Sequence, residues 1–264
     1  TLVQGIYQLG LEVSEKTVIV GHATVQQAVI AAIQQHGVTI NASNTARDLG
    51  FDATAGRDRR TPTATKRARA TTKRFQRSRL FLRRGAGRKV TGRLLYTTNL
   101  RAKRTYDAAV MGLPATKARM ERATAATLAG FTAKGRCTST SMLHICDKQD
   151  PVSHTLRRQI KEWFTVWQQN PQYHDRVRLG WHAVYRKMQS KRARSKWRSV
   201  TGSMGAIIVA MHEIGWSLPE PDTWTDPAGY QWIYSPDDTN LQSKFDAVHV
   251  SVEAIVWQQA GQHP

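Results

Sequence analysis

Residues 45–80, TARDLGFDATAGRDRRTPTATKRARATTKRFQRSRL, decide how this chain is organised. The first third reads as a β-hairpin: Leu49 and Phe51 alternate around Gly50, and Gly56 closes the segment. The remainder reads as a helix in which Ala68, Phe75 and Leu82 recur every seven residues, leaving the other faces to Arg and Lys. A hairpin running straight into a basic helix separates a small β-containing layer from a helical region.

Upstream, Val18 and Val20 fall on one face of a short strand, with Thr17 and Ile19 on the other. ATVQQAVIAAIQQHG then predicts a helix with Val25, Ala28, Val29, Ala32 and Ile33 on one stripe, stopped at Gly37. Val38–Ile40 reads as a second strand. Strand, helix, strand and hairpin form an α/β layer too small to be a whole domain. Thr1 stands inside an apparent helix, so the expectation is a piece with more chain upstream.

Downstream of the basic helix, Gly85 and Gly87 are breakers, and RKVTGRLLYTTNLRAKRTYDAAVMGLP predicts a helix, a short link and a second helix ending at Gly112. ATKARMERATAATLAG is a further helix, and residues 131–150 show no period and read as a linker. Asp150-Pro151 is a helix start, a capping carboxylate followed by Pro at the first helical position. Leu156, Ile160, Trp163 and Trp167 then line one face, and Asn170-Pro171 ends the helix. DRVRLGWHAVYRKMQSKRARSKWRSV is a second basic helix, SMGAIIVAMHEIGW an apolar one, and DTWTDPAGYQWIYS a hairpin turning at Asp226–Gly229.

The chain has 264 residues, 40 % of them apolar, with eight Trp, enough for real cores. No stretch approaches the roughly 20 apolar residues of a membrane span, and no signal peptide is recognisable. Two cysteines do not make a disulfide framework, so a reducing, intracellular compartment is expected.

The net charge of +20 is unevenly spread. From Arg57 to Arg122 there are 21 Lys or Arg against Asp58, Asp107 and Glu121; from Arg157 to Arg198 there are 12 against Glu162 and Asp175. Beyond Arg198, Lys244 is the sole base among eight acids. Two basic blocks and an acidic end imply a nucleic-acid partner, with the end of the chain turned away from it. Membrane-surface helices carry a broad face of large apolar residues, which the basic helix lacks. The expected nucleic-acid contacts are Arg59, Arg60, Lys66, Arg67, Arg69, Lys73, Arg74, Arg77, Arg79, Arg83 and Arg84.

Catalytic motifs are missing: there is no phosphate-binding glycine loop, nucleophile elbow or His-Glu-x-x-His. Cys137 and Cys146 are nine apart with His144 nearby, which lacks the paired spacing of tetrahedral zinc, so no metal site is expected. Asp48 and Asp52 could share one side of a strand, but Asp is common at hairpin ends and Arg47 and Arg57 are available as partners. Asp237-Asp238 lies in turn composition on the acidic end.

The order of these parts resembles the end of the palm and the thumb of a reverse transcriptase from a non-LTR, LINE-like retroelement. Gly10, Leu11, Lys16 and Thr17 match that family's Gly-Leu…Lys-Thr strand, which follows the catalytic hairpin. Ala46-Arg47-Asp48-Leu49-Gly50 is similar to its Lys-Tyr-Leu-Gly hairpin, with Asp where an aromatic is common. Residues 197–232 also look like a segment found beyond the thumb in some such elements. The resemblance implies that Leu49, Gly50 and Phe51 form a primer grip, that Lys16 sits on the pyrophosphate side, and that the basic helices hold a template–primer duplex of RNA or DNA. It implies magnesium for the full polymerase, and fingers and palm upstream in the same polypeptide. The family's Asp-Asp metal turn is absent, and Asp237-Asp238 is in the wrong order to replace it. The expected product is a fragment inactive alone; a non-catalytic basic RNA- or DNA-binding protein, complete in itself, is the alternative.

The fold expected is α+β. A palm remnant with its hairpin spans residues 1–60, a basic helical thumb 61–130, a linker 131–150, and a helical extension with an aromatic hairpin and acidic end 151–264.

Overall fold

The computed structural model describes residues 17–43, 45–48, 51–54, 58–59, 61–82, 88–128, 150–190, 196–234 and 241–261. The chain is an α+β protein, mostly helical, with three two-stranded sheets among the described residues.

The opening layer is a β-α-β unit. Strand β1 (Val18–Val20) runs parallel to β2 (Asn41–Ser43), joined by helix α1 (Ala23–Gln34), with Val18 opposite Asn41 and Val20 opposite Ser43. A parallel pair needs a crossover, and the helix supplies it. Gln26 ties the unit together: its buried side-chain amide donates to the Ser43 carbonyl (2.8 Å) and to the Ile19 carbonyl (3.4 Å), one on each strand. Gly37 takes a left-handed φ of +73° at the expected helix stop.

Two details differ from the sequence pattern. The ladder falls on Asn41–Ser43 and not on Val38–Ile40, because Ile40 is buried and Val38 packs with it beneath α1 from the connecting chain. Of the stripe on α1 only Ile33 is buried, while Val25 is 56 % exposed, since a two-stranded sheet covers only part of the helix.

The second sheet is the antiparallel hairpin of β3 (Thr45–Asp48) and β4 (Phe51–Thr54), in which Arg47 stands opposite Asp52 and Asp48 opposite Phe51. Helix α2 (Pro62–Leu82) follows. It packs on α3 (Arg88–Leu95), on the π-helical turn Tyr96–Leu100 and α4 (Arg101–Arg104) that continue α3, and on α6 (Ala115–Leu128). In the π-turn the hydroxyls of Thr98 and Thr97 both donate to the Leu94 carbonyl (2.7 and 3.2 Å), taking an acceptor from the helical ladder. Tyr96, Leu100, Ala125 and Leu128 form the core of this bundle, with Phe75 of α2 packed against it. The short α5 (Ala108–Met111) precedes α6.

Helix α7 (Pro151–Gln169) begins as the sequence predicts: the Asp150 carboxylate accepts from the backbone N–H of Val152 (3.1 Å) and Ser153 (3.2 Å). Its stripe of Leu156, Ile160, Trp163, Phe164 and Trp167 enters the largest core, built with α8 (His174–Gln189), α9 (Ser203–Glu213), the β5–β6 hairpin (Thr223–Thr225, Gln231–Ile233) and α10 (Leu241–Gly261). The indole N–H groups of Trp163 and Trp181 donate to the carbonyls of Pro221 and Leu218, so the rings are buried without orphaned donors. Helix α9 is buried continuously from Gly205 to Met211, as an all-apolar helix must be.

Two elements here depart from the sequence pattern. The second basic helix ends at Gln189, and Trp197–Ser199 forms a separate 3-10 turn. The acidic end holds α10, which packs against α7 through Val248 and Val252. The 131–149 part of the linker, with Cys137, His144 and Cys146, and the Asp237-Asp238 pair lie outside the described residues.

Candidate nucleic-acid interface

Helix α2 docks by one face and offers the other to solvent. Thr71 is buried and Ala68, Phe75 and Ser78 are half-buried, a stripe at steps of three, four and three. Lys66, Arg69, Lys73 and Arg77 recur at steps of three, four and four on the opposite side, and all four are exposed. Arg74 and Arg79 are also exposed. None of these six side chains has an ion pair or hydrogen bond among the described residues. The sequence pattern spreads the bases around most of the helix; in the structure four of them form one stripe.

The acids of the basic block pair with bases outside this stripe. Asp107 pairs with Lys117 (3.3 Å), Glu121 with Arg104 (2.5 Å) and Asp58 with Arg198 (3.5 Å). Asp150 accepts from Nε (2.6 Å) and Nη2 (2.9 Å) of Arg122, joining the end of the bundle to the start of α7. Burial raises the Glu121 carboxyl above its usual range against the pull of Arg104. The Tyr96 phenol is held well above its ordinary value by burial and by Glu121.

Two of the expected contact residues turn toward protein. Arg59 donates from Nη2 to the Gly112 carbonyl (3.2 Å) and lies 5.6 Å over the Trp197 ring. Burial pushes its guanidinium down from the ordinary value, with Asp107 opposing. Its Nε and Nη1 are buried without partners, so this arginine braces Gly112 and Trp197 and does not reach outward. Arg67 stacks 4.5 Å over the Tyr106 ring, with Nη1 buried and unpartnered.

Lys16, Leu49, Gly50, Arg60, Arg83 and Arg84 lie outside the described residues, and Phe51 opens β4. Among the described residues no three His, Cys, Asp or Glu side chains gather as a metal site, and no helix is long and apolar enough to cross a membrane. One residue of interest is passed over by the charge pattern. Gln159 sits on the buried stripe of α7, between Leu156 and Trp163, and a polar residue at such a position is the signal that could have found it. Comparison with protein-family models, with curated proteins and with solved structures gave no match.

Proposed function

We propose that this chain binds duplex nucleic acid through the exposed face of α2, as the palm-end and thumb portion of a retroelement reverse transcriptase that lacks its own catalytic aspartates. The observation that carries the binding is the stripe of Lys66, Arg69, Lys73 and Arg77, exposed and without acidic partners among the described residues, on a helix docked by its opposite face. A helix of 21 residues is about 31 Å long at 1.5 Å per residue. That length follows roughly nine base pairs at 3.4 Å each. Its charges are placed to meet phosphates and carry no base-reading geometry, as a sequence-independent duplex grip requires. The polymerase assignment rests on the Gly10-Leu11, Lys16-Thr17 and Ala46–Gly50 motifs and on the order of strand, helix, strand, hairpin and basic helix.

The test is a salt titration of duplex binding by the wild type and by Arg69→Ala/Arg77→Ala. Each phosphate contact contributes about 0.9 to the slope of log K against log salt. Removing two should flatten the slope by nearly two and weaken binding equally for unrelated sequences. An unchanged slope would make α2 a solvated face and overturn the thumb reading.

A further inference from the structure

A cavity of about 350 Å³ lies between α5, α7 and α9, in the size range of small-ligand sites. Val110, Trp163 and Ile207 are among its apolar walls, and Gln159 and Tyr106 are among its polar members. Gln159 is 3 % exposed, and neither its amide oxygen nor its amide nitrogen has a hydrogen-bond partner. Leaving both halves of a buried amide unmade is costly, and its neighbours on the helix show that an apolar side chain would suit the position. The group becomes intelligible if something entering the cavity offers an acceptor and a donor side by side.

The position of the cavity narrows the ligand. Tyr106, 46 % exposed at its edge, is the ring on which Arg67 of α2 is stacked, and Arg67 itself keeps a buried, unpartnered Nη1. The cavity therefore borders the helix assigned to phosphate binding. Arg158 and Glu162, also on its lining, lie 4.0 Å apart as an ion pair, so a phosphate gains little by entering there. A neutral, flat group with paired donor and acceptor fits inside, and the link to α2 is the Arg67–Tyr106 stack at the cavity edge.

We propose that this cavity takes an unpaired nucleobase, adenine by preference, from a strand held on α2. The Gln159 amide reads the base edge, as glutamine does at N6 and N7 of adenine, and the Tyr106–Arg67 stack supports the adjoining nucleotide. The inference rests on the nucleic-acid reading of α2 and adds a base-reading subsite to it.

The experiment uses the full chain at one salt concentration and three labelled probes: a blunt duplex, the same duplex with a single adenosine overhang, and the same duplex with an abasic overhang. The adenosine overhang should bind about tenfold more tightly than the abasic one, near the lower end of a bidentate base contact. Gln159→Met, apolar and of similar length, should erase that difference, leave blunt-duplex affinity unchanged, and melt no lower than the wild type. Equal binding of the two overhangs alongside normal blunt-duplex binding would overturn the cavity inference and leave the α2 reading standing. Failure to bind any probe would overturn both. If free adenosine raised the melting temperature of the wild type but not of Gln159→Met, while the overhang had no effect, the cavity would take a free nucleoside and the strand assignment would fall.

Discussion

Replacing Asp150 by Ala should be among the most damaging single changes in this protein, and the structure supplies the size of the effect. The carboxylate caps α7 through the N–H groups of Val152 and Ser153 and holds the Arg122 guanidinium through Nε and Nη2. Both side chains are nearly out of solvent, at 11 % and 8 % exposure. Loss of the cap alone costs about 1 kcal/mol. Stranding a buried guanidinium costs about 3–5 kcal/mol, more than the ion pair would be worth against an apolar replacement. Asp150→Ala should thus lose roughly 4–6 kcal/mol, or about 10–20 °C of melting temperature at 2–4 °C per kcal/mol for a chain of this size. Asp150→Asn keeps a capping side chain and should lose about 1 kcal/mol less. Adding Arg122→Met to Asp150→Asn should restore at least about 2 kcal/mol by removing the stranded charge. Urea titration followed by Trp fluorescence reads this directly, because Trp163 and Trp167 lie on α7 and Trp163 packs against both Trp167 and Trp181. A coupling below about 0.5 kcal/mol in that cycle would refute the argument, since pairs in real contact exceed it.

Gly112→Ala should destabilise by at least about 2 kcal/mol, because φ +70° and ψ 172° form a conformation kept for glycine and an added Cβ would lie 2.5 Å from the Trp197 ring; chemical denaturation checks it. His154 is held down to about 4, by burial first and then by Arg101, Arg158 and Arg157. A histidine depressed in the fold binds its proton more readily when unfolded, so stability should fall as the pH drops from about 6.5 to 4 and level off below. His154→Gln should remove that part of the pH dependence in melting scans, and an unaltered profile would refute the assignment. The chain should incorporate no nucleotide on a primed template with magnesium, because its sequence holds no Tyr/Phe-x-Asp-Asp turn to carry the metal ions of a polymerase; chelator-sensitive extension by the pure protein would contradict this.

What could be read in the sequence was local. Asp150-Pro151 and the stripe after it, the Asp226–Gly229 turn and the Gly37 stop are decided within a few residues, and the structure has each. The exposed face of α2 follows from composition together with a seven-residue repeat. What escaped depends on distant chain. Arg59 looked like a phosphate contact because Gly112 and Trp197, which occupy it, are 53 and more residues away. The Arg122–Asp150 pair is likewise beyond local reading, because its partners are 28 residues apart. Helix α10 was hidden by its acids: Val248, Val252 and Ile255 recur at steps of four and three, but a charge count across the segment does not register a stripe. The Val38–Ile40 ladder was misplaced because apolar character marks what is buried, whereas pairing is a matter of backbone groups.

The allocation of charge bears most directly on function. The basic block has three acids, and each is spent on a base outside the exposed stripe of α2. Arg69, Lys73 and Arg77 thus stand as like charges at i, i+4 spacing with no acidic partner among the described residues, an arrangement that destabilises a free helix by a few tenths of a kcal/mol per pair. A merely solvated helix would lose nothing by accepting Glu at one of those positions, and would gain a favourable pair. Tolerating the repulsion is sensible where a partner supplies the anion. A phosphate backbone does so along the whole stripe, and release of its counterions makes the exchange favourable at moderate salt. The stripe is therefore unfavourable to the free protein and favourable to a complex, a combination that supports the duplex-binding reading of α2 over a passive surface.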